Sequence, residues 1–195
     1  MDVAEFFLER HANLHGFMTE EELLAGLADY ELRARPHGVN PIVWLLWHVA
    51  RIEDAAISYF VAERPQLLDR EPWMERMNVP HRHRGTAMTS DEVDELSARV
   101  DVAALRAYWD AVGRSTCEIV AGLTPGRLDE IVSTEERHRV LVDEGLAAPH
   151  EPPAALTPVP KPRGWFLAWP GLTHSYGHFF EGYVTRGQVL SRRGN

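Results

Sequence analysis

The run PIVWLLWHVARIEDAAISYFVA, residues 41–62, constrains this chain more than any other stretch. For three turns it is apolar nearly all round, so a helix built from it belongs at the centre of a fold rather than on its surface. Asn40 followed by Pro41 is a good start for that helix, because an Asn side chain can accept from a free backbone N–H and proline suits the first helical position. One histidine, His48, falls in the middle of the apolar stretch.

A central helix needs partners that each bury a face. From Val3 to about Gly26, apolar residues recur at Val3, Phe7, Leu8, Leu14, Met18 and Ala25 with roughly helical spacing. The segment LADYELRARPHGVN then reads as a connector with one short turn of helix, broken by Pro36, Gly38 and Asn40. Residues 63–89 show no sustained period and read as a long connection, after which Ser90 is the expected N-cap of a short acidic helix, SDEVDEL. A third long helix is expected from about Val102 to Gly122, striped by Leu105, Tyr108, Trp109, Val112, Ile119 and Val120 and ended by Thr124, Pro125 and Gly126.

Residues 127–144 allow one more short helix. Beyond them PHEPPAALTPVPKPRG, with six prolines in sixteen residues, predicts an irregular proline-rich arm at about 149–163. The last long helix starts between Trp165 and Gly171 and runs to about Leu190, with Pro170 either in its first turn or kinking it. Four long helices with long crossover connections predict an all-α four-helix bundle, in a single domain over residues 1–195.

Composition narrows the function. Of 195 residues 45% are hydrophobic, enough to close a core without staples, and the single cysteine, Cys117, rules out an internal disulfide. A formal net charge of -9 opposes binding to a phosphate backbone. No stretch approaches the roughly 18 uninterrupted apolar residues that span a bilayer, and MDVAEFFLER lacks the pattern of a secretory leader. The expectation is a cytoplasmic protein acting on a small molecule, without nucleic acid or membrane, and able to form a homodimer.

Ten histidines are the candidate chemistry. In THSYGHFFEGY, His174 and His178 are four apart, so their rings leave one helix face about one turn apart and can chelate one ion. His48 is the best third donor from another helix, and three neutral nitrogens would leave a coordination position open. The spacing alone is cheap, however. His11 and His15 are also four apart, and among acids and an amide they read as surface or boundary residues. The alternative for the trio is a hydrogen-bonded core histidine and two that merely line a helix.

His81 and His83 lie in HRHRG, read as a flexible basic loop, while His37, His138 and His150 lie in polar connectors. Glu181, three residues after His178, shares its face and can orient a ligand or act as a base, unless it is simply a solvated carboxylate. Glu53 and Asp54 point away from the face of His48. Trp44, one turn before His48, is either a cavity wall or core, and Cys117, with no histidine motif beside it, reads as a buried structural thiol.

Two motifs resemble a known family. The run LADYELRARPHGVNPIVWLLWHVARIED is similar to the DinB/YfiT-like superfamily pattern of an Arg-Pro connector, an Asn or Ser cap and a second helix bearing a metal histidine. THSYGHFFEGYVTRGQ resembles the same superfamily's last-helix HxxxH. The resemblance implies a DinB-like four-helix bundle and a metal triad on His48, His174 and His178. Phe180 departs from it, since many relatives carry a small residue there, and the proline-rich arm is longer than the family core requires.

The resemblance further implies one divalent metal ion, Zn or Ni, and either a transferase or isomerase using a low-molecular-weight thiol or a metal-dependent hydrolase. A non-catalytic metal-binding stress-response module is the third reading. Only Lys161 among the basic residues is lysine, an arginine bias typical of GC-rich genomes that mildly favours a mycothiol-type thiol.

Overall fold

The computed structural model describes residues 2–18, 22–152, 156 and 159–194. Four long helical stretches make the bundle: α1 (Val3–Met18), α3 (Ile42–Ala55), α7 (Val102–Ala121) and α10 (His174–Ser191). Between them lie the short helices α2 (Asp29–Leu32), α4 (Leu67–Arg70), α5 (Trp73–Arg76), α6 (Ser90–Arg99), α8 (Thr134–Val142) and α9 (Arg163–Ala168). α1 and α3 each pack against both α7 and α10, so α1 and α3 stand diagonally across the bundle. The all-α four-helix bundle expected from the sequence is the fold observed.

Several boundaries differ from expectation for identifiable reasons. α1 ends at Met18, and Leu23 and Leu24 enter the core from a turn instead. Thr89 rather than Ser90 caps α6, because its hydroxyl accepts from Glu92 N while the Glu92 carboxylate accepts from Thr89 N, a reciprocal capping box. Pro41, not Asn40, occupies the cap position of α3, which frees the Asn40 side chain for another task. In the long connections, β1 (Ile131–Val132) pairs antiparallel with β2 (Lys161–Pro162), a two-residue ladder that ties the proline-rich arm to the bundle. Residues 153–155, 157 and 158 of that arm lie outside the described residues.

Of the fourteen residues of α3 only Ile52 escapes burial, as an all-round apolar helix requires. α3 continues without a break into a π-helical segment, Ala56–Val61, and α9 continues through a second one, Trp169–Thr173, into α10. Pro170 therefore lies within a continuous helical stretch, where its missing N–H and its ring favour the wider turn. Hydroxyls meet carbonyls there, with Thr173 Oγ1 donating to Ala168 O at 3.0 Å and Ser175 Oγ to Pro170 O at 3.2 Å.

A buried polar network fastens the 63–89 connection to α3. Arg51, with no exposed surface, donates to Tyr108 Oη at 3.0 Å, Gln66 Oε1 at 2.9 Å and Arg82 O at 2.8 Å. Asp54 accepts from Tyr108 Oη at 2.6 Å, Ser58 Oγ at 3.1 Å and the backbone N–H groups of Leu67 and Leu68 at 2.7 and 3.0 Å. Its carboxylate thus meets free N–H groups at the start of α4, a helix with no side-chain cap of its own. Asp54→Ala would strand the Arg51 guanidinium and these donors in the interior, and is expected to lower the unfolding free energy in urea by about 3–5 kcal/mol.

Candidate metal centre

A stripe of α3, Trp44, His48, Ile52 and Ala55, advances by three or four residues and lines a cavity of about 540 Å³. Across it stand Trp165, Phe166, Trp169 and His174 from the other long stretch. Trp44 is thus both packed, at 6% exposure, and a cavity wall, its ring stacked on His48 with centroids 4.7 Å apart.

His48 and His174 line the cavity, and His178 adjoins both. Each can offer one ligand nitrogen within 4.8 Å of the others. Their ring centroids are 5.0 Å apart for His48 and His174, 4.9 Å for His48 and His178, and 4.5 Å for His174 and His178. The π-helical segment fixes this meeting, since it sets the register in which α10 begins, at His174 itself.

Two rings are held by their Nδ1 atoms. His48 Nδ1 lies 2.5 Å from Arg84 O, and because a carbonyl only accepts, that nitrogen carries the proton and Nε2 is left with its lone pair. His178 Nδ1 lies 2.7 Å from Glu181 Oε2, while Asn40 Nδ2 donates to Glu181 Oε1 at 2.7 Å. Both oxygens of Glu181 are committed, and its bond to His178 holds the carboxyl below the usual carboxylate range. Burial pushes His48 well below the usual imidazole range, and burial followed by the neighbouring His178 lowers His174 to about 4. His174 Nδ1 is buried and makes no hydrogen bond among the described residues. Two imidazoles oriented through Nδ1 and a third whose buried Nδ1 is unsatisfied form a donor set that fits a divalent transition-metal ion.

Two contributors were hidden from sequence reading. Asn40 was accounted for as a cap, so nothing marked it as the residue that steadies Glu181. Arg84 acts through its carbonyl, which has no sequence signature. The HRHRG tract is pinned rather than flexible: Arg82 O accepts from Arg51, Arg84 N donates to Leu146 O at 3.1 Å, and His83 is buried and accepts from Gly85 N at 3.1 Å. Arg84 also pairs with Glu151, buried at the base of the proline-rich arm.

Other expectations are corrected on the far side of α3. His11 is buried, because the α1 face that carries it packs into the bundle instead of facing water, while His15 is half-buried, a boundary position as expected. Glu53, turned away from His48 as its spacing requires, is fully buried and lies 2.7 Å from His11 Nε2. Burial disfavours charge on both, but their attraction outweighs it, lifting His11 to about 10 and lowering Glu53. Cys117 is half-exposed rather than buried and does have a histidine companion, with Sγ 3.8 Å from His11 Nδ1. His37 and His138 are exposed, and His150 lies 3.6 Å from Glu92 at the surface, all as expected of connectors. Phe180 is exposed and does not line the cavity.

Comparison with known proteins places the chain in a family. The model of the DinB superfamily matches residues 18–178, a span that contains all three histidines, and the chain belongs to that superfamily, whose members bind metal. Among solved structures, the crystal structure of a conserved protein from Enterococcus faecalis aligns with a TM-score of 0.75 over 98% of this chain and 99% of that one, at 20% identity. At that identity the likeness speaks for the fold. No curated protein matches the chain by sequence. Among the described residues no helix is long and apolar enough to cross a membrane.

Gly85 carries the turn beside His48 at φ +87°, and an added Cβ would lie 2.5 Å from Trp47 Cζ3 and 3.2 Å from His48 Nδ1. Gly85→Ala is expected to cost about 1–3 kcal/mol in chemical denaturation. Gly177→Ala, in the same bundle with nothing within 4 Å of the new methyl, is expected to cost nothing or to stabilise.

Proposed function

We propose that the chain is an enzyme in which His48, His174 and His178 hold one divalent ion, Zn or Ni, and that it joins a low-molecular-weight thiol to a small electrophile, as an S-transferase or isomerase. The convergence of the three imidazoles, two of which line the aromatic cavity, carries this reading. When bound, the ion supplies a Lewis acid that makes a thiol nucleophilic at neutral pH.

The chain's own residues do the rest. Arg84 O fixes the His48 tautomer, and Glu181, steadied by Asn40, fixes that of His178, so Glu181 is a positioning residue rather than the base. Trp44, Trp165, Phe166 and Trp169 give the cavity an apolar wall that excludes water around a small substrate. Arg137 also lines it and makes no ion pair with an acid among the described residues, which suits a substrate or thiol carrying a carboxylate. Its guanidinium lies 5.4 Å from the Trp165 ring, which presents it beside the aromatic wall.

Metal analysis of chelator-stripped, Zn2+- or Ni2+-reconstituted protein tests the ligand set. His48→Ala and His174→Ala are each expected to bind about one equivalent less than wild type and to lose turnover. Glu181→Ala is expected to keep the fold and weaken metal affinity about 10–100-fold. A screen of low-molecular-weight thiols with small electrophiles, read as loss of free thiol, tests the reaction. Unchanged metal content in His48→Ala overturns the site, and ester cleavage without any thiol consumption replaces the transferase with a hydrolase.

A further inference from the structure

On the opposite side of α3 from the cavity, His11 and His15 of α1 meet Glu53, and one ligand atom from each lies within 4.8 Å of the others. We propose that these three residues form a second, separate site for a divalent transition-metal ion. None of them lines the cavity of the first site, and the two ligand sets share no residue. The proposal therefore stands or falls independently of the function proposed above.

The carboxylate is the main indication. Glu53 has no exposed surface; its Oε1 accepts from His11 Nε2 and from Thr116 Oγ1, both at 2.7 Å, whereas Oε2 is buried and makes no hydrogen bond among the described residues. His15 Nε2 stands 4.0 Å from that oxygen. Zinc bonds to imidazole nitrogen and carboxylate oxygen at about 2.0–2.2 Å, so one ion bridges such a gap with at most a small swing of the ring. Thr116, by holding Oε1, fixes the direction in which Oε2 points, the task of an outer-shell partner in metal sites.

The bundle is also shaped around His15. Gly113 lies inside α7, where alanine would favour the helix by about 1 kcal/mol, yet an added Cβ would fall 2.2 Å from His15 Cε1 and 2.7 Å from Nε2. Trp109, one turn earlier, stacks on the same ring with centroids 4.1 Å apart and planes within 19°. An opening lined by His11, His15, Gly113 and Cys117 gives an ion a route from solvent. Two nitrogens and one carboxylate oxygen suit zinc and its first-row neighbours better than magnesium or calcium. Binding sends to solvent the proton that otherwise joins His11 to Glu53.

The test is zinc stoichiometry in the full chain, stripped with chelator and dialysed against Zn2+, with circular dichroism to verify the fold. Wild type is expected to hold one equivalent more than His15→Ala and Glu53→Gln, and His174→Ala is expected to retain the equivalent that those two variants lose. His15, being half-buried, is the substitution least disturbing to the core, so it keeps the test decisive if Glu53→Gln unfolds. Zinc content equal in wild type and folded His15→Ala overturns the second site, whatever happens at the first. Loss of zinc in His15→Ala but not in His174→Ala upholds the second site and overturns the first.

Discussion

The contact on which the rest depends is Arg51 buried among Tyr108, Gln66, Asp54 and the carbonyl of Arg82. A buried guanidinium is costly unless its donors are answered, and here the answers come from α7, from the connection that follows α3 and from Asp54 one turn on in α3 itself. That connection has no regular structure long enough to fix itself. Held by Arg51 and by the Asp54 carboxylate at the start of α4, it runs along α3 and delivers the Arg84 carbonyl to His48. One buried charge therefore positions a metal-ligand candidate three residues away along the helix by way of a loop more than thirty residues on.

α3 divides the molecule chemically. One side carries Trp44, His48 and Ile52 into the aromatic cavity, and the other carries Glu53 to the histidines of α1. The two π-helical segments set the cavity's walls, since each widens a long helix where it passes the site and brings Ala56, Phe60 and Trp169 to its lining.

Much of this was legible in the sequence. The apolar run around His48 required a central helix, and HxxxH placed His174 and His178 on one face because helical periodicity is local and strict. Glu53 and Asp54 were legible as pointing elsewhere for the same reason. What misled was reading neighbours in sequence as surroundings in space. His11 sits among acids along α1, but its own face packs inward; Asn40 looks like a cap, yet Pro41 takes that position and the amide reaches Glu181 instead.

By itself the sequence determined the long helices and the central place of Ile42–Ala55, because these follow from period and hydrophobicity within a few turns, whereas it was the resemblance to a known family that singled out His48, His174 and His178 from the other histidines. Only the tertiary structure decided which nitrogen of each ring is free, which loop closes over His48, and that a carboxylate five residues further on meets a second pair of histidines. Those outcomes depend on hydrogen bonds between residues tens to more than a hundred positions apart, and on a glycine in α7 leaving room for an imidazole from α1. Local spacing carries no record of such pairings.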